Sequence, residues 1–435
     1  MVEIEWTPLA IRALREALRR SPLEFARMVG ITNRTLSLWE SGKTSKPHAS
    51  SKRLLHEVLE NAPADAQQRF WSVVGQPIPT NVPPRSTDGG GESDYLLSAA
   101  DESAALLAWA EASNVGPLTL EDLRDNLRWV THQYLKSPTL PLFRRVVETR
   151  NRAIELLQGR QRPHQSTALY AIAGWSMTLL GWITIDLGRP DIASRHLRTA
   201  WALAENTQDN ELRGWVRAAQ NTAAACQGDY NAANAAATAG LAYAGTGSAG
   251  LLLASARAID LAHIGRVSES TSALRAAREI ADQFIDEPPS DQYAGPLSCS
   301  IERAGGYWAD AALVNGQAQQ CVEFATEALV RFRVNPPELR NLGSERMVQT
   351  QQIKGYITLG DFDMAIAALR DVVETTPAEH RMGPLIQRVD EIAQLANDSG
   401  THAAEATEMR EIATEFAEVA DLAALAAETN GGSGL

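Results

Sequence analysis

The sequence predicts an all-α protein, with a small helical head followed by a long array of paired helices. Three observations carry this. Alanine fills stretches such as 231–241 and 403–427, and alanine is the strongest helix former because it loses no side-chain entropy. Helix start and stop signals recur throughout the chain. A pattern of a helix ending in glycine, a few turn residues and a second alanine-rich helix recurs five times. With 435 residues the chain exceeds one compact core, so two or three units or one elongated array is expected. The balance of 44% hydrophobic and 21% charged residues is that of a globular protein.

The elements follow in order. In the head, residues 1–74, a first helix places Ile11, Leu14 and Leu18 on one stripe. Ser21-Pro22-Leu23-Glu24 is a helix start, with Ser as N-cap, Pro at the first helical position and Glu closing a capping box. The second helix continues through Phe25, Ala26 and Val29, and Gly30 turns the chain. Thr32 caps a third helix, 33–41, expected to bury Leu36 with Leu38 or Trp39 and to end at Gly42. A fourth, 52–60, is expected to bury Leu54, Leu55, Val58 and Leu59.

Residues 75–92 hold Pro77, Pro79, Pro83, Pro84 and three glycines, the composition of a flexible linker. A helical connector follows at 93–164. In it, Thr119 to Asp122 suggests a capping box opening one helix, and Leu142 opens another. The array spans 165–378. Its turn glycines are Gly188, Gly228, Gly265, Gly316 and Gly360, spaced 40, 37, 51 and 44 residues apart. Glycine suits these places because the residue after a helix end often needs a positive φ. Capping helices at 379–428 and a disordered tail at 429–435 complete the chain.

The net charge of −13 excludes a chain that coats nucleic acid over its whole surface. Residues 1–60, however, hold ten basic and seven acidic side chains, against thirty and forty-six in the remainder. A basic head on an acidic body fits a nucleic-acid-binding head.

The head resembles the phage-repressor-like helix-turn-helix family, often called the xenobiotic-response-element family. The matching residues are Ile11 to Glu16, Phe25-Ala26, Gly30-Ile31-Thr32 and Leu36 to Lys43, while Pro22 replaces the family's usual Gln. The resemblance implies that the third helix enters the DNA major groove with Asn33, Arg34, Thr35 and Ser37 facing base edges. Asn pairs bidentately with adenine and Arg with guanine. Ser21 and Thr32, at helix N-termini, are expected to face phosphates. Lys43, Lys46, Lys52 and Arg53 are expected to hold the backbone. Trp39 is expected in the core, and Glu40 on Arg12 or Arg15.

The glycine-turn strings resemble the tetratricopeptide repeat, a helical hairpin of about 34 residues. Leu180-Gly181, Ala193, Leu197 and Ala200 carry the first copy, and Tyr356, Gly360, Ala365, Leu369 and Pro377 the last. Ser270 and Cys321 stand where the middle copies want alanine. The resemblance implies an α-solenoid whose concave face carries Trp175, Trp182, Trp215, Thr222, Asp310 and Lys354. Trp109, Trp129, Trp201 and Trp308 read as core.

A head and array of these kinds resemble two groups. One is the peptide-pheromone-sensing regulators of Gram-positive bacteria; the other is a set of actinobacterial regulators. The strings 110–117 and 157–163 resemble the second group. The expected partners are double-stranded DNA, a second copy of the chain as a homodimer, and a peptide, small molecule or partner protein in the groove. The alternative is a non-catalytic interaction scaffold acting through its repeats. No motif for nucleotide, metal or nucleophilic catalysis is present, so no enzyme activity and no cofactor are expected. Cys226, Cys299 and Cys321 are widely spaced and read as core residues of a cytoplasmic protein. The acidic N-terminus lacks a signal-peptide pattern, and no membrane span is expected.

Overall fold

The structure, a computed structural model, describes residue 4, residues 6–41 and 47–74, and residues 99–431 apart from 101, 104–105, 108–109, 135–136, 138, 287–288, 337–339, 382 and 401. The whole linker at 75–92, the expected helix ending at Gly42 and Trp109 lie outside the described residues. Among the described residues there is no strand. The all-α expectation therefore holds.

Among the described residues five helices form the head: α1 (Pro8–Ala17), α2 (Pro22–Met28), α3 (Asn33–Ser41), α4 (Ala49–Glu60) and α5 (Ala64–Val74). Their shared core holds Ile11, Leu14, Phe25, Leu36, Trp39, Leu55, Leu59 and Phe70. Thr7 caps α1 through its side chain. Arg69 ties α5 to the end of α1, donating from Nε and a terminal nitrogen to the Ala17 carbonyl at 3.1 and 2.8 Å. One expectation fails on α4. It begins at Ala49, and Leu54 is exposed while Leu55 and Leu59 are buried. The helical period puts Leu55 and Leu59 on one face, four residues apart, and turns Leu54 away from it.

Next come α6 (Pro117–Gln133), α7 (Thr139–Leu157), α8 (Pro163–Asp186) and α9 (Pro190–Thr207). Helix α6 starts at Pro117, two residues before the expected cap, because a proline with its fixed φ suits the first helical position. Helix α7 likewise opens at Thr139 rather than Leu142. Then follow α10 (Asn210–Ala225), α11 (Tyr230–Ala244), α12 (Ser248–His263) and α13 (Val267–Asp286). The last six are α14 (Ile301–Val314), α15 (Ala318–Val334), α16 (Leu342–Leu359), α17 (Phe362–Glu374), α18 (Gly383–Asp398) and α19 (Ala403–Gly431). Helix α19 runs through residues 429–431 of the expected tail, and the rest of that tail lies outside the described residues.

The chain divides into two compact units: 1–122 with 151–169, and 123–150 with 170–435. In the first, the two strings likened to the actinobacterial regulators meet. The Asn114 amide donates to the Arg160 carbonyl at 2.9 Å, and the Asn114 side chain donates to the Leu156 carbonyl at 3.0 Å.

In the second unit the helices pack as hairpins in two rows. Helices α10, α12, α14, α16 and α18 each pack on the next in that series, and each also packs on the helix that follows it in sequence. This is the geometry of a solenoid, in which each repeat buries its apolar face only against its neighbours. All five anticipated turn glycines have positive φ, between 74° and 83°. Gly400, between α18 and α19, repeats the device at 67°, and these two helices continue the stacking. The arrangement thus extends past residue 378. Ser270, at an alanine position, is fully buried, and its hydroxyl donates to the Ala258 carbonyl at 2.8 Å.

Helix α8 is long and apolar enough to cross a membrane, and residues 165–185 carry no charge, a stretch the sequence reading overlooked. In the structure 83% of its apolar window is buried. Burial among helices accounts for that composition, as in the core helix of a globular protein.

Candidate functional sites

The first site is the outer face of α3. Thr32 caps it, its Oγ1 accepting from the Thr35 amide at 3.1 Å and pairing with the Thr35 hydroxyl at 2.8 Å. Leu36 and Trp39 point into the core, leaving Asn33, Arg34 and Ser37 exposed on the first turns. These three carry no hydrogen bond or ion pair within the described residues, so their donors and acceptors stay available. Lys52 and Arg53 are exposed on α4. Lys43 and Lys46 lie outside the described residues.

The pose of α3 is fixed from behind by an ion pair. Arg15 Nε lies 2.7 Å from Glu40 Oε1, with both side chains mostly buried. The hydrogen bond to Glu40 raises the Arg15 pKa further above its ordinary value. Arg12 adds a bond to the Glu40 carbonyl at 3.5 Å. Both arginines named from the sequence thus meet residue 40.

Two of the expected contact residues are already engaged. The Ser21 amide and hydroxyl both donate to Glu24 Oε2, at 2.9 and 2.8 Å. Those hydrogen bonds from Ser21 hold the Glu24 carboxyl below the usual range. A carboxylate therefore already sits on the N-terminus of α2, where a phosphate would have to go. Thr35 is half-buried and spends its hydroxyl on Thr32.

The second site is a cavity of about 500 Å³ inside the second unit. The stacked row of helices lines it, joined by α8 and by the segment before α14. Of the residues expected on the concave face, Trp182, Thr222 and Asp310 line it. Trp175 and Trp215 do not. Both are fully buried between helices, with Trp175 packed against Tyr293 at 4.9 Å. Large apolar rings gain more from close packing than from a wet wall. Lys354 sits behind the wall, bonded at 2.5 Å to Glu391, which does line the cavity.

Other tryptophans and cysteines depart from expectation. Trp308 is buried, but Trp129 is 44% exposed, with the Arg145 guanidinium 4.2 Å over its ring. Trp201 is half-buried, under Arg217 at 3.7 Å. Guanidinium groups cover these rings in place of a core. Cys299 and Cys321 are buried as expected, whereas Cys226 is exposed at the end of α10.

The polar lining of the cavity was not anticipated. Tyr134 donates to Asp186, whose carboxyl is pushed up to about 6 by burial, offset in part by that bond and by Arg303. Arg303 donates to the Ser298 carbonyl and to the Pro296 carbonyl at 3.3 Å. Arg388 pairs with Asp310 at 3.4 Å and Glu391 at 3.1 Å. Burial alone would raise the Glu391 carboxyl, but Arg388 and Lys354 hold it below its ordinary value. Asp260, 1% exposed, accepts one bond from Asn221 Nδ2 at 2.6 Å. Burial pushes its carboxyl up to about 7.

The sequence did offer a signal for part of this. The interval between Gly265 and Gly316 is the longest, and its surplus residues fold inward. Tyr293 and Leu297 are buried there, and Gly295 and Pro296 form cavity wall.

Residues 11–52 match the helix-turn-helix family. The match runs from α1 into α4 and contains the whole outer face of α3. The head is therefore a helix-turn-helix domain, the DNA-binding kind of head that the sequence suggested. No curated protein matches the chain. Among solved structures, yeast Tom70 is similar over 91% of this chain and 82% of that one, at 11% identity and a TM-score of 0.36. So loose a likeness bears on no residue, and the reading of the array rests on its own packing. No group of His, Cys, Asp and Glu among the described residues could hold a metal ion.

Proposed function

We propose that the chain is a sequence-specific DNA-binding transcriptional regulator of the phage-repressor-like type, in which the helical array dimerises or responds to an effector. One observation carries the reading. Asn33, Arg34 and Ser37 project unpaired from the start of a helix whose other face is locked by Leu36, Trp39 and the Glu40–Arg15 pair. In the major groove, that helix would present Asn33 to adenine and Arg34 to guanine. Lys52 and Arg53, with Lys43 and Lys46, would meet phosphates and fix the register. A homodimer would read two half-sites about one helical turn apart. The cavity is the natural seat for an effector, since pockets of ~300–1,000 Å³ with a few convergent polar groups hold small molecules. DNA access and the free cysteines fit a cytoplasmic protein.

The test is selection of duplexes from a random-sequence pool by the full chain. A motif should emerge, and Asn33→Ala with Arg34→Ala should abolish its enrichment. A pool that stays random, with protein whose circular dichroism is fully helical, would reject the reading.

A further inference from the structure

The cavity holds an imbalance of charge. Four carboxylates line it: Asp186, Asp260, Asp310 and Glu391. So do three guanidinium groups: Arg303, Arg346 and Arg388. Each cation is already engaged. Arg303 points at backbone carbonyls beside Asp186, Arg346 donates to the Thr375 carbonyl at 2.8 Å, and Arg388 is shared between Asp310 and Glu391. Three of the carboxylates have partners as well. Asp186 has Tyr134 and Arg303, Asp310 has Arg388, and Glu391 has Arg388 and Lys354.

Asp260 is the exception. Its neighbour Asn221 spends both donors at once, one on Asp260 Oδ2 at 2.6 Å and one on the Ala233 carbonyl at 2.9 Å. No cation among the described residues pairs with Asp260. Ionising a carboxyl that is 1% exposed and has no counter-charge is costly.

Two further groups on the wall are unsatisfied. Trp182 Nε1 and Gln351 Oε1 are both buried without a hydrogen-bond partner. Trp182 and Gln351 are each 4% exposed, and both line the cavity. The wall also carries Tyr134, Tyr230 and Tyr307 beside Ile185, Ile259 and Met347. Buried polar atoms normally find partners, so an unpaired acceptor, an unpaired donor and an uncompensated carboxylate on one wall suit a ligand that brings both a positive charge and hydrogen bonds.

We propose that this cavity binds a small organic cation, an amine on an aromatic or apolar body, with Asp260 as its counter-ion. The ammonium donates to Asp260, and the body packs against the aromatic side chains of the wall. Aromatic faces attract cations, and a charge-assisted bond to a desolvated carboxylate is about twice as strong as a neutral one. The proposal rests on the reading of the array as an effector-binding domain. It names the chemistry of that effector and does not depend on the head.

The test is calorimetric titration of the full chain, free of DNA, with three probes of one shape. Phenethylamine is the cation, 2-phenylethanol the neutral analogue and phenylacetate the anion; tryptamine serves as a second, larger cation. At millimolar concentration at least one amine should bind, 2-phenylethanol about tenfold or more weaker, and phenylacetate not at all. Asp260→Asn should weaken the amine by about tenfold to a hundredfold, as expected for loss of a charged hydrogen-bond partner. Trp182→Phe should leave the preference for cation over anion intact. Equal amine affinity in the Asp260→Asn variant, preference for phenylacetate, or no binding of either amine would each overturn the proposal. Because no DNA is present, none of these outcomes bears on DNA recognition by the head.

Discussion

Replacing Asp260 by Asn should make the array more stable at neutral and alkaline pH and leave it nearly unchanged only below about pH 4. Asp260 is 1% exposed, has Asn221 as its hydrogen-bond donor, and its carboxyl is pushed from 3.8 to about 7 by burial. In the unfolded chain this carboxyl ionises near its ordinary value. Between about pH 4 and pH 7 the folded chain therefore holds a proton that the unfolded chain has lost, and stability falls as pH rises. Above the folded pKa the loss is complete. One pKa unit is worth about 1.4 kcal/mol, so the full effect is on the order of 4 kcal/mol. Asn cannot ionise, and its side-chain oxygen still accepts from Asn221. The variant should thus match the wild type below about pH 4, already exceed it by more than about 1 kcal/mol near pH 5, and exceed it by about 4 kcal/mol near pH 8. Urea unfolding followed by tryptophan fluorescence at several pH values measures the difference. Asp186, His196 and His263 also shift on folding, but they are common to both proteins and cancel. A variant-minus-wild-type difference that stays constant across this range would refute the reasoning.

Three further perturbations test the packing. Glu40→Ala leaves Arg15 unpaired behind α3 and should cost the head about 1.5–3 kcal/mol, read by chemical unfolding of the full chain. Gly228 has φ of 75°, so Gly228→Ala should cost roughly 1–2 kcal/mol and lower the melting temperature of the array. A Cβ on Gly305 would stand 2.7 Å from the Cβ of Ala328, so Gly305→Ala should force α14 from α15 at about 1–3 kcal/mol. An unchanged melting temperature for either glycine variant would show that the hairpins are not packed as described.

The head was legible because its signals are local. The Ser21–Glu24 box, the Thr32 cap and the turn at Gly30 each involve residues within a few positions of one another, and all appear as expected. The array was legible for a similar reason, since one glycine per turn marks each hairpin. The cavity was not, because its wall is drawn from segments as distant as Tyr134 and Glu391. No periodicity says which polar residues of stacked helices will face each other. Asp260 was nonetheless visible as the one acid in the mostly apolar run 249–262, whose other polar residues are Ser255 and Arg257, and such an interruption of a buried helix is the kind of signal worth reading. The tryptophans misled in the opposite way. Their size favours burial, yet Trp129 lies under an arginine at the surface while Trp175 and Trp215 fill the core.

The central claim is that the exposed start of α3 reads DNA sequence. Its most direct test is fluorescence anisotropy of a selected duplex and a scrambled one, titrated with wild type and with the Asn33→Ala, Arg34→Ala variant at several salt concentrations. Two bidentate base contacts are worth ~1–3 kcal/mol each, so the variant should lose roughly 30-fold or more on the selected duplex. It should bind the scrambled duplex much as the wild type does and keep a similar salt slope, because phosphate contacts set that slope. Equal affinity of wild type and variant for the selected duplex would contradict the account.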